Sequence, residues 1–222
     1  MIRQLDKWQL VSFGCAGAMF VVMGMGRFSY ASMVPALVLS GQVSSDHVGW
    51  VGGINLASFF CGAAISETVR KIWRPEQILI GAILVSVAAL LASSLPYGAV
   101  WLGIWRGLLG LTAGLVMVQG LAITTAIAPQ RKRPMATGLM FAGVGVGILF
   151  SGVLVPWLLH LGIFVAWIGI AVASVVAAVF ALFGLRAAVG IKFGPVLRSE
   201  GVLFVIRRGR AWRSLILAYF LF

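Results

Sequence analysis

Two arginines, Arg27 and Arg106, stand inside long apolar stretches of this chain. A guanidinium near the centre of a bilayer costs about 2.5–3.5 kcal/mol on insertion scales. Such a residue faces a bundle interior or a wet cavity, unless it lies near enough to a helix end to snorkel. Arg27 is near the middle of its stretch. Arg106 is about two turns from the outer end of its own, which leaves snorkelling open for that residue. None of the five acids falls inside a stretch to neutralise them, and Glu67 stands at the inner end of one. Two uncompensated cations beside a cavity attract an anion, an aromatic face or a carbonyl end. The expectation is therefore a watery chamber between helices that shelters both. Tyr30 follows Arg27 by three residues and shares nearly the same helical face. Asn55 and Gln119 are polar and mid-stretch. Thr112, seven before Gln119, shares its face, which is turned away from Arg106. Each of these side chains either lines a polar path or bonds a neighbouring helix.

Other chemistry finds no support. There is no GxSxG, no HExxH and no buried carboxylate pair, so no catalytic residue and no enzyme is expected. Cys15 and Cys61 lie in apolar stretches without a Cys/His cluster, and are read as packing residues with no disulfide, metal or cofactor. The GVGVG run at 143–147 lacks the preceding strand and the Lys-Ser/Thr ending of a phosphate loop. Its spacing instead suits helix packing. Gly143, Gly147 and Ser151 recur at i, i+4 and i+8, as do Arg106, Gly110 and Gly114. Small residues at that period let backbones approach closely, and such contacts are also surfaces that can slide or rock.

The elements that position these residues follow from composition. Of 222 residues, 61% are hydrophobic and 10% charged, more apolar surface than a soluble domain of this size can bury. Lipid offers no partner for open backbone, so each stretch is a helix. The fold class is an all-α integral membrane bundle of six spans, at 8–39, 48–66, 77–95, 99–128, 135–159 and 161–185. Pro35 is a candidate bend in the first.

Of the seventeen Lys and Arg residues, fifteen fall in the N-terminal tail and in every second gap between spans. Cytoplasmic loops collect these residues, so the N-terminus and those gaps face the cytoplasm of an inner membrane. The net charge of +12 is scattered over short loops. It points to anionic lipid headgroups, with no nucleic acid. Residues 1–185 form the bundle and 186–213 a long basic loop, which either lies on the inner leaflet or links two bundles. Residues 214–222 begin a seventh helix too short to cross, so the chain is expected to be the first part of a longer protein.

Specific segments add a resemblance. LGIWRGLLG at 102–110 is similar to the fourth-helix motif of major facilitator superfamily transporters, in which Arg follows Leu by four and precedes Gly by four. GAAISETVRK at 62–71 resembles that family's loop motif between helices two and three. It keeps Gly62, Glu67 and the basic pair Arg70 and Lys71, but lacks the internal Gly and the Asp-Arg pairing. GRFSY at 26–30 with Pro35, the run at 138–156 and LAYFL at 217–221 resemble the YbfB/YjiJ-like branch. In the fifth helix Ser151-Gly152 stands where the antiporter motif has Gly-Pro.

The resemblance implies the N-terminal half of a twelve-helix protein, with a substrate site near the midplane between halves and helices one and four lining it. It also implies that the fourth-helix Arg assists proton coupling. The reading is a secondary transporter moving a small solute by alternating access, with an organic anion favoured, protons as the coupling ion, and the missing C-terminal half as partner. The alternative is a membrane scaffold or assembly subunit, or an inactive fragment.

Overall fold

The structure is a computed structural model that describes residues 6–190. Nearly all of the basic loop at 186–213, and the helix start at 214–222, lie outside the described residues. Within them, six helices are long and apolar enough to cross a membrane, and no strand occurs. These are α1 Lys7–Leu39, α2 Ser45–Arg70, α3 Pro75–Ala92, α4 Gly98–Ile127, α5 Arg133–Leu159 and α6 Ile163–Arg186. A 3₁₀ turn, Gln130–Lys132, leads into α5.

The connections are too short for anything but antiparallel neighbours. The basic residues Lys71, Arg74, Arg131, Lys132, Arg133 and Arg186 therefore share one side of the bundle. At the turn between α5 and α6, Gly162 has φ 121°, which a residue with a Cβ rarely adopts.

Two elements differ from the sequence reading. The first concerns α1, which passes through Pro35 as helix; its departure from α geometry lies earlier, in a π-helical segment Phe20–Phe28. The second concerns α2, which runs past the end read at 66 to Arg70, so Glu67 and Arg70 join Gly62 in the helix and only Lys71 lies beyond its last residue. A Cβ on Gly62 would collide with the Leu111 carbonyl of α4, so this glycine serves a helix contact.

Close approach by small residues organises the bundle. On α4, Gly110 meets the Asn55 carbonyl of α2 and Gly114 meets that of Phe59. On α5, Gly143 meets the Ala16 carbonyl of α1 and Gly147 lies against Gly24. Gly14 of α1 abuts Gly184 of α6 in the same way. In lipid there is no hydrophobic force to drive helices together, so such contacts replace it with dispersion between backbones. They leave α1 and α4 the most buried spans, at 61% of their most apolar windows.

This arrangement fixes the sign of a simple comparison. Gly143→Ala should destabilise the bundle by about 1–3 kcal/mol, because the added methyl overpacks a rigid backbone contact. Gly145→Ala, whose Cβ would meet nothing within 4 Å, should be neutral or gain up to about 1 kcal/mol from helix propensity. Equilibrium unfolding of the two variants in detergent checks both signs.

Candidate functional site

Arg106 has no accessible surface. It projects from α4 between two rings, its guanidinium carbon 4.9 Å from the Tyr30 centroid on α1 and 5.3 Å from that of Trp167 on α6. Its Nη1 donates to the Gly26 carbonyl at 2.7 Å. Gly26 lies in the π segment, two residues before it ends, so Arg106 ties this irregular turn of α1 to α4. Behind Arg106, the Asn55 amide donates to its backbone carbonyl at 2.7 Å. The arginine side chain therefore joins α1, α4 and α6, and its backbone is braced from α2.

This corrects the expectation of one chamber sheltering both arginines. Arg106 is enclosed by packed helices, because its face of α4 turns toward the irregular carbonyl of α1 and the ring of Trp167. Its Nε and Nη2, the Tyr30 hydroxyl and Trp105 Nε1 are buried and make no hydrogen bond. Aromatic faces, not a carboxylate, offset the charge. The two ring faces and the charge-assisted hydrogen bond offset the cost of holding a cation there.

Three other polar candidates also serve helix contacts. The Gln119 amide donates to the Ser66 hydroxyl at 2.6 Å and to its carbonyl at 3.1 Å, joining α4 to α2. Thr112 pairs with Ser86 of α3 at 2.8 Å. Asn55 is buried against α4 as described, and Ser151 is buried with its hydroxyl on the Ile148 carbonyl. Arg106, Tyr30 and Asn55 thus meet in one cluster, while Gln119 belongs to another contact further along α4.

Arg27 is different. It is partly exposed, and its guanidinium lies over the Phe59 ring of α2 at 5.1 Å. It forms no ion pair among the described residues. Around it the bundle presents an open face. Only 17% of the most apolar window of α2 and 28% of that of α5 are buried. The exposed side of α5 carries Gly138, Gly145 and Gly152 at intervals of seven. Gly49 and Gly53 stand on the exposed side of α2. A Cβ on any of these five would meet nothing within 4 Å.

Trp167 and a second residue, Glu76, escaped the sequence reading. Glu76 is 2% exposed, with Arg74 Nε at 3.5 Å from Oε1 and no hydrogen bond to either carboxylate oxygen. Starting the third span at 77 left it in the loop; α3 starts at Pro75 instead. The signal was present. Proline in the first helical position followed by an acid marks a helix start, and the acid gains from the positive end of the helix dipole.

The energetics of the Arg106 cluster are measurable. Arg106→Met should lower the unfolding free energy by about 1–3 kcal/mol, the scale of the charge-assisted hydrogen bond it removes. In a double-mutant cycle with Trp167→Leu the two losses should overlap by about 1–2 kcal/mol. Additive losses would show that ring and guanidinium do not interact.

The comparisons with known proteins can now be set beside this geometry. A family model described as "Uncharacterised MFS-type transporter YbfB" matches residues 19–222. No curated protein sequence matches the chain. Among solved structures, the chain is similar to one titled "Crystal structure of a POT family transporter in complex with thioalcohol conjugated peptide", at 13% identity and a TM-score of 0.58. The likeness covers 96% of this chain and 46% of that one, so the chain spans about half the length of the transporter it matches. At that identity the likeness shows the fold alone, and the peptide is that protein's ligand. The six apolar helices and the family match together make this a multi-pass membrane protein that belongs to the YbfB-type family of MFS transporters.

Proposed function

We propose that this chain supplies one six-helix half of a secondary transporter, which moves a small solute by alternating access against a second half docked on the α2/α5 face. One observation carries the reading. Arg27 is a part-exposed cation in the middle of α1, beside an open face studded with exposed glycines. A cation at that depth needs water or an anion, and the open face lets another bundle approach closely. A small organic anion is the favoured solute class. It would be drawn by Arg27, with Phe59 holding the guanidinium in place.

Arg106 has a different part in this reading. Locked in the α1–α4–α6 contact, it keeps α1 and α4 fixed to each other, so that Arg27 is presented from a rigid wall. A proton-coupling acid, on this reading, comes from the second half, since neither arginine forms an ion pair among the described residues. On this reading the N-terminus lies on the cytoplasmic side of the inner membrane, which the basic helix ends support.

The test is uptake of labelled small organic anions by the complete two-half protein in liposomes. Arg27→Gln should cut transport at least about ten-fold, the scale of one charge-assisted contact, with insertion and stability unchanged. Arg27→Lys should retain part of it. Normal rates in Arg27→Gln would remove the solute assignment, and absence of solute movement in the intact protein would favour the scaffold alternative.

A further inference from the structure

A groove of about 380 Å³ runs between α2 and α3 and is floored by α4. It lies apart from the cluster around Arg106. It is lined by Trp73, Ala82 and Val85 on one side and Leu108, Leu111 and Leu115 below, with Val69 and Gln77 at the basic end. Its walls offer little to a polar ligand. The Thr112 hydroxyl in the floor is engaged by Ser86 at 2.8 Å and the Leu109 carbonyl at 3.0 Å. The Gln77 side-chain carbonyl accepts the Arg74 backbone N–H at 3.0 Å.

The dimensions select the occupant. From Gln77 to Val85 the groove follows α3 for eight residues, about 12 Å of helix rise, comparable with one leaflet's share of a hydrocarbon core about 30 Å thick. A single hydrocarbon chain suits a narrow apolar groove of that length.

The mouth adds a headgroup preference. The Trp73 indole, 56% exposed, lines the groove, and the exposed Lys71 and Arg74 flank it in the turn between α2 and α3. Indole rings favour the level of lipid headgroups, and basic side chains at that level attract anionic ones. Arg74 already lies 3.5 Å from buried Glu76 with its side chain 55% exposed, so it can reach a phosphate while remaining beside the carboxylate.

We propose that this groove is a binding site for one anionic phospholipid, an acyl chain lying between α2 and α3 and the phosphate held by Lys71 and Arg74. The site is built into the described helices and does not depend on which leaflet faces the cytoplasm.

Native mass spectrometry of the purified protein, released from nanodiscs of equal phosphatidylglycerol and phosphatidylcholine, tests it. The retained lipid should be enriched in phosphatidylglycerol. Lys71→Gln and Arg74→Gln should each cut that enrichment about five-fold, the scale of one basic side chain at an anionic surface. Gly81→Phe fills the groove from a position where a side chain meets nothing within 4 Å. It should reduce retention of both lipids while leaving the protein folded, which keeps the proposal testable even where losing Arg74 beside Glu76 destabilises the chain. Equal retention of the two lipids in the wild type, enrichment that survives Lys71→Gln, or undiminished lipid retention in Gly81→Phe would overturn it.

Discussion

One hydrogen bond and two ring faces hold the centre of this bundle. Arg106 reaches from α4 to the Gly26 carbonyl in the π segment of α1 and carries its charge between Tyr30 and Trp167. Lipid offers a guanidinium no acceptor, so this carbonyl and the two rings are what hold the cation inside the bundle.

The remaining packing falls into place around this contact. The glycines on the inner sides of α1, α4 and α5 bring backbones close enough for Arg106 to span three helices with a single side chain. The same residue type on the outer sides of α2 and α5 faces open space. Both sets look alike as sequence, since each recurs at a helical period. Only the fold tells which glycines have found their partner helix and which have not. That difference gives the bundle a closed interior and an open face, with Arg27 at the border.

Much of the fold was legible because the bilayer imposes one periodicity-free rule, length of apolar run. The six spans appear within about five residues of where composition and basic gaps place them. The site was legible only in part. Arg106 and Tyr30 stand 76 positions apart, and no local pattern shows that their side chains meet. The π segment carries no unusual residue beyond Gly24 and Gly26, so the Gly26 carbonyl gave no sign of accepting from Arg106, and a buried arginine was read as bordering water. Gln119 and Asn55 are polar in an apolar stretch whether they line a pathway or tie two helices. Glu76 was misplaced by a two-residue error at a helix start, where Pro75 and the acid that follows outweigh the hydropathy edge.

The enclosure of Arg106 is the claim from which the rigid wall, and the contrast with Arg27, both derive. Solvent exchange of its guanidinium protons, followed by NMR on the ¹⁵N-arginine-labelled protein in lipid nanodiscs, tests it most directly. The account predicts slowly exchanging Arg106 side-chain protons with resonances shifted by the rings of Tyr30 and Trp167, alongside fast exchange at Arg27. Exchange at Arg106 as fast as at Arg27, without ring-current shifts, would contradict it and return this arginine to a water-filled chamber.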